Sequence, residues 1–388
     1  MAESFQIRAT VQELMASARE SSGVDIVDSA IEEPLHRYLQ SLNSEAQLSK
    51  TGAEAMEKNL LRLLENRLRM QRDINRHPEI NEQKIIRPLF LTGAGRTGST
   101  KLHKMLVASG DFIHLPFWQG YSLSSRSGVR GEDTASRIAD AEAFACWFDA
   151  QTPVAKLIHS YEAFEPEEET LLLEHVLCGM FLMAFVFVPG YVGWSVQHFR
   201  EQMEFVKQCL KYLQWQFHDG DTRPWVLKCP IHFGNEALLA EVFPDAVFVA
   251  THRNPLNTLS SQASLLEHYH KAYSDADRNQ IYGQMMLEGQ GMATDGFLAS
   301  RDRHAELPSL DIGYPELKKD AGKVIEKIYS HAGMTLSATS RQAMREWESA
   351  NAQHKLGEHK HSLEHFSLTP KMVNERFKAY MERFGALL

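Results

Sequence analysis

An α/β fold, with a central parallel sheet flanked by helices and a helical extension ahead of it, is predicted by three features of the sequence. Leu89-Phe90-Leu91-Thr92 reads as a buried strand that enters a glycine-rich turn, Gly93 to Gly98, and then a segment with Leu102, Met105 and Leu106 at helical spacing. Two further apolar runs, Trp225-Val226-Leu227-Lys228 and Ala246-Val247-Phe248-Val249-Ala250, end in basic or histidine residues close to Pro230 and Pro255. Residues 1–86 show helical periodicity and no strand runs.

In order along the chain, Leu60, Leu61, Leu64, Leu68 and Ile74 fall near one helix face, and His77-Pro78 ends that helix. Arg87-Pro88 leads into the first strand, so the division expected is an extension over 1–86 and an α/β domain over 87–388. Ser122 to Gly131, rich in Ser, Gly and Arg, predicts a mobile loop near the site. Val176 to Val188 is too short to span a bilayer and predicts a buried helix ending at Pro189-Gly190. Four glycines between Gly283 and Arg303 predict a flexible stretch that could serve as a lid. Pro370 to Phe384 returns to helix, with Met372, Val373, Phe377, Tyr380, Met381 and Phe384 on one side.

At 388 residues, with 43% hydrophobic and 23% charged residues, the chain has the composition of a soluble enzyme. A net charge of −9 disfavours nucleic acid as partner, since binding phosphates along a backbone needs a basic face. Cys146, Cys178, Cys209 and Cys229 form no C-x-x-C pair, and the N-terminal residues show no apolar signal core. Reduced thiols and a cytoplasmic location are expected from these two features.

The loop after the first strand has the makings of an anion cradle. Glycines let the backbone close on an oxyanion, the first helix amides point at it, and the helix dipole favours negative charge. The spacing follows G-x-x-x-x-G-K-[ST] except that Ser99 stands where that pattern has Lys, and the loop's cation is Arg96. The strand Ala246–Ala250 runs into Thr251-His252-Arg253 without the carboxylate that would hold magnesium beside a triphosphate. Asn254-Pro255 predicts a helix start, which would put Arg253 at a strand end and Ser261 on the helix, able to grip one phosphate from two sides. Lys228 and His232 come to the same carboxyl edge of the sheet, where open α/β sheets bind ligands.

These residues resemble the sulfotransferases that use 3′-phosphoadenosine 5′-phosphosulfate, and most of all the broad bacterial branch of that family. Gly93-Ala94-Gly95-Arg96-Thr97-Gly98-Ser99-Thr100-Lys101-Leu102-His103 is similar to its G-x-P-R-S-G-T-T-x-L-H. Leu227-Lys228-Cys229-Pro230-Ile231-His232 is similar to its L-K-x-P-x-H, and Glu165 to Leu172 to its P-E-E-x-x-x-L-L. Asp311 to Leu317 resembles its R-Y-E-D-L, and Leu356 to Ser362 its G-x-H-x-Y-S. The matched segments run from about Arg87 to Phe384, with Gly95 in place of the loop proline, Gly313 in place of Arg and His361 in place of Tyr.

The resemblance implies a P-loop, nucleotide-kinase-like sheet topology and in-line transfer, without metal, of a sulfuryl group to a hydroxyl or amine on a small-molecule or glycan acceptor. It implies that Arg96, Thr97, Gly98, Ser99 and Thr100 cradle the 5′-phosphosulfate and that Arg253 and Ser261 hold the 3′-phosphate. It leaves room for a homo-oligomer. Arg96 and Lys228 are the candidates to stabilise charge on the leaving oxygen. The base that accepts the acceptor's proton is open between His232, the acidic group Glu165, Glu167 and Glu168, and His159, with His232 and Glu168 the leading choices. His354, His359, His361 and His365 cluster late, as a loop closing over the nucleotide with Lys355 or Lys360, or less readily as a metal site. Phe117, Trp118, Phe144, Trp147 and Phe148 could line an apolar acceptor pocket or simply pack as core. The rival readings are an ATP-dependent phosphotransferase, disfavoured by the missing Lys and Asp, and a nucleotide-binding protein without catalysis.

Overall fold

The computed structural model describes residues 4–177, 182, 184–351 and 359–388. The chain forms two compact units: Met1–Ile85 with Pro116–Asp221 and His268–Asp277, and Ile86–Leu115 with Thr222–Glu267 and Arg278–Leu388.

The second unit holds a four-stranded, wholly parallel sheet. Its strands are β1 (Leu89–Gly93), β2 (Val226–Lys228), β3 (Val247–His252) and β4 (Ser309–Gly313), in the order β2-β1-β3-β4. Leu91 pairs with Lys228 on one side and Val249 on the other, and His252 pairs with Gly313. The four carboxyl ends therefore share one edge. Both faces of β1 are buried, which is why its sequence is continuously apolar rather than alternating. Leu89 and Leu91 pack with Leu102, Leu106, Val249, Val324 and Ile328, while Phe90 stacks on Phe248 and meets Phe243 at a tilt on the opposite face. Each such side chain contributes about 1.5–3 kcal/mol when fully buried, so the edge is a rigid platform.

The first unit is helical. Val11–Ser22 starts with a capping box between Thr10 and Glu13 and stops at Gly23 in the left-handed conformation. Lys50–Arg76 buries Met56, Leu60, Leu63, Leu64 and Leu68, and ends at His77 as the following proline requires; Leu61 and Ile74 are only partly covered. Phe117, Phe148 and Tyr161 are buried and pack on Phe144, with Phe117 and Tyr161 centroids 5.0 Å apart. Core packing accounts for Phe148 and the buried Trp118, whereas Phe117 and Phe144 also line a cavity with Tyr121, Tyr161 and Leu182.

Two expectations are corrected. The Gly283–Arg303 stretch is neither loop nor lid but part of one continuous helix, Asn279–Arg303. Its glycines serve close packing: a Cβ at Gly283 would lie 2.0 Å from the Phe366 carbonyl oxygen, and one at Gly291 would lie 2.2 Å from the Arg376 guanidinium. Ser122–Gly131 is non-helical as expected, but it is pinned. The Asp133 carboxylate accepts the Arg126 and Ser127 amides at 2.6 and 3.0 Å, and buried Arg137 donates to the Ser122 and Leu123 carbonyls. The Val176–Val188 run lies partly outside the described residues. No helix among those described is long and apolar enough to cross a membrane. Among the described residues no disulfide forms: Cys209 and Cys229 are buried, Cys146 is exposed, and Cys178 lies outside the described residues.

Candidate active site

The glycine-rich turn leaves β1 at Gly93 and enters the helix Ser99–Ala108 at Gly98, whose φ of 91° lies in the left-handed region. A Cβ there would approach Leu317 Cδ2 to 2.8 Å, so glycine is required on both conformational and steric grounds. Thr97 is buried and anchors the turn: its hydroxyl donates to the Ala94 carbonyl at 2.8 Å and lies 2.6 Å from the Thr251 hydroxyl on β3. Ser99 opens the helix, and Thr100 follows on its exposed side. His103, in the same helix, is buried.

Arg96 sits at φ 70° inside the turn, an uncommon conformation for a side chain of that size. Its Nε donates to Ser261 Oγ at 3.1 Å. Arg253 donates from Nη1 to the Arg96 carbonyl at 2.9 Å, and its guanidinium lies over the Tyr314 ring, 4.0 Å from the centroid. The cation expected at the 5′ group and both residues expected at the 3′-phosphate thus form one connected cluster. Arg253 Nε is buried and has no hydrogen-bond partner among the described residues. A fixed guanidinium with a spare buried donor fits an anion's oxygen.

The residue before Arg253 is itself fixed. His252 is fully buried and held at both ring nitrogens, by Tyr380 at 2.8 Å and by Asp311 at 3.0 Å. Asp311 also accepts from Arg301 at 2.6 Å. Burial pushes the Asp311 carboxyl up, but His252 and Arg301 outweigh it and hold it below the usual range. Sequence reasoning missed both Asp311 and Tyr314 as site-shaping residues. The signal lay in the match of Asp311–Leu317 to the family's R-Y-E-D-L segment, which gave neither residue a role.

The helix expected after Asn254-Pro255 comes in two pieces. Asn254 caps a short 3-10 turn, Pro255–Asn257, and the α-helix Leu259–His270 follows, with Ser261 in its first turn. Lys228 ends β2 and is 3% exposed; His232 closes the 3-10 turn Pro230–His232, fully buried with Phe90 edge-on to its ring at 5.2 Å. Glu168 belongs to the helical unit. There Glu167 accepts the Glu168 amide at 2.8 Å and lies 2.8 Å from His159 Nε2, so Glu167 and His159 are engaged with each other.

Of the late histidines, His359 Nε2 lies 2.8 Å from Ser264 Oγ, His361 Nδ1 lies 2.8 Å from Ser260 Oγ, and His365 meets Glu267 at 3.2 Å. His354 and Lys355 lie outside the described residues. Among those described, no three His, Cys, Asp or Glu side chains converge as metal ligands.

A family model described as "Sulfotransferase family" matches residues 88–338. The chain belongs to the sulfotransferase family. It is 28% identical to sulfotransferase STF1 from Mycobacterium tuberculosis, with 97% of this chain and 100% of that chain covered and a TM-score of 0.81. Sulfotransferase STF9 from Mycobacterium avium, at 22% identity with 98% of each chain covered and a TM-score of 0.83, shares the fold. No curated protein matches the chain. The sulfotransferase match starts just ahead of β1 and takes in the turn, all four strands, Arg253 and Ser261.

Proposed function

We propose that this sulfotransferase takes its sulfuryl group from 3′-phosphoadenosine 5′-phosphosulfate and passes it to a hydroxyl or amine of a small-molecule or glycan acceptor, in the cytoplasm. The carrying observation is the cluster of Arg96, Ser261 and Arg253 at the carboxyl edge of the sheet, next to a glycine turn that opens a helix. Two anionic groups on one nucleotide call for two such grips, and ATP offers no 3′-phosphate for the second.

In this reading the donor supplies an activated sulfur with a phosphate leaving group. The amides from Thr97 to Thr100 and the helix start hold its 5′ end, and Arg253 with Ser261 holds the 3′ end. The acceptor oxygen forms the new S–O bond as the bond from sulfur to the bridging oxygen breaks. Arg96 and Lys228 stabilise the charge that develops on that oxygen. The acceptor's proton goes to His232 or Glu168; burial of His232 at the end of β2 suits a group that works away from bulk water.

Thermal stabilisation tests the donor. Adenosine 3′,5′-bisphosphate should raise the melting temperature well beyond ADP or ATP at equal concentration. Equal stabilisation by ATP with magnesium would replace this reading with a phosphotransferase.

A further inference from the structure

The late histidines occupy the same unit as the anion cluster and reach the helix that carries Ser261. Ser260 and Ser264 are four residues apart, hence on one face of Leu259–His270, and each meets one imidazole, His361 and His359 respectively. The two rings lie 5.8 Å apart. Ser261, between those serines in sequence, is the residue on which Arg96 rests.

We propose that His359 and His361 form a proton-operated clamp on the donor nucleotide, taking up protons as its phosphate is bound. This rests on the adenosine 3′,5′-bisphosphate reading of the site. The surroundings are cationic: Arg96 from the glycine turn acts on both rings, and Arg253 from the end of β3 and His359 act on His361. Glu267 on the serine helix opposes them and is engaged by His365. Lys360 stands between the two rings in sequence. Burial first, and then the Arg96 charge, hold His359 below the ordinary histidine value; for His361 the order is burial, His359, Arg96 and Arg253. A bound phosphate reverses the sign of that field and favours the imidazolium.

The serines give the switch a chemical form. A neutral ring nitrogen accepts a serine O–H; once protonated it donates to the serine oxygen, which frees the hydroxyl proton for a phosphate oxygen. His361 stands where the pattern this segment resembles has Tyr, a ring that stays neutral in this pH range.

The sign is diagnostic. A phosphate monoester has its second pKa near about 6, so a site that selects the dianion releases protons on binding. The clamp takes them up. Calorimetry of adenosine 3′,5′-bisphosphate at pH 7, in buffers of different ionisation enthalpy, should show net proton uptake. Affinity should rise by about tenfold from pH 8 to pH 6.5, the size of one charge-assisted hydrogen bond. His361→Tyr should cut the uptake and flatten the pH profile, and His361→Gln should do the same. Net release, or uptake unchanged in both His359→Gln and His361→Gln, would overturn the clamp while leaving the donor reading intact. Absence of binding at every pH would take down both.

Discussion

Arg253→Ala is the sharpest test of how the cluster reads its ligand. Arg253 makes one hydrogen bond to the Arg96 carbonyl, lies over Tyr314, and keeps a buried Nε without a partner among the described residues. Removing it deletes a charge-assisted contact to the 3′-phosphate, of about 1.5–3 kcal/mol, and with it roughly ten- to a hundredfold in donor affinity. It also frees the Arg96 carbonyl, losing a contact to an uncharged acceptor that supports the turn as a whole and is worth less than the phosphate pair. The two effects separate by ligand. Calorimetry with adenosine 3′,5′-bisphosphate should register both, whereas adenosine 5′-phosphosulfate, which lacks the 3′-phosphate, should register only the smaller. Equal weakening of the two ligands would show that Arg253 supports the turn and does not select the phosphate. Arg253→Lys keeps the charge but not the planar fork, and should recover only part of the loss.

Arg96→Ala should depress kcat by roughly a hundredfold or more and donor binding by less, because its charge matters most as the leaving oxygen becomes anionic. If His232 is the base, His232→Gln should depress kcat while leaving donor affinity intact; near-normal turnover of that variant, together with inactive Glu168→Gln, would assign the proton to Glu168. Gly283→Ala should destabilise by about 1–3 kcal/mol in a denaturant melt, since its methyl would meet the Phe366 carbonyl; a neutral result would show that the helix there is free to yield. His175 is fully buried, and burial first, then Arg62, depresses its pKa to about 3. The unfolded chain therefore binds a proton that the folded chain refuses, and stability should fall as pH drops from about 6.5, by up to about 1.4 kcal/mol per pH unit. His175→Gln should flatten that slope in a series of melts.

What the sequence disclosed was local. The glycine turn, the β3 exit through Asn254-Pro255, and Arg253 with Ser261 are written in contiguous residues, because turn chemistry and buried strands leave short-range signatures. What it hid was pairing over distance. Strand β4 has only two buried residues, so no apolar run announces it, yet it places Asp311 against His252, 59 positions away in sequence. The glycines after Gly283 read as flexibility when their neighbours, Phe366 and Arg376, lie far along the chain. Ser122–Gly131 misled in the same way, since Asp133 and Arg137 hold it through contacts that composition does not reveal. Glycine and serine content marks permissive backbone; packing decides whether that freedom is used for motion or for contact.

The arginines of the sheet unit divide by the charge of what holds them, and that division makes a last prediction. Arg301, Arg376 and Arg383 are paired with Asp311, Asp295 and Asp302, so their charge is largely spent. Arg253 is held by a carbonyl and an aromatic face, both neutral, so its charge stays available to an anion. Arg301 lies close by through Asp311 and His252 yet should be structural. Arg301→Ala leaves the Asp311 carboxylate partly buried with His252 as its remaining partner, at a cost of about 1–3 kcal/mol, visible as a lower melting temperature. Adenosine 3′,5′-bisphosphate affinity should stay within about twofold, as for sites that share no ligand contact. A loss of affinity as large as that of Arg253→Ala would mean that the His252–Asp311 pairing, and not the neutral cradle, keeps Arg253 in place.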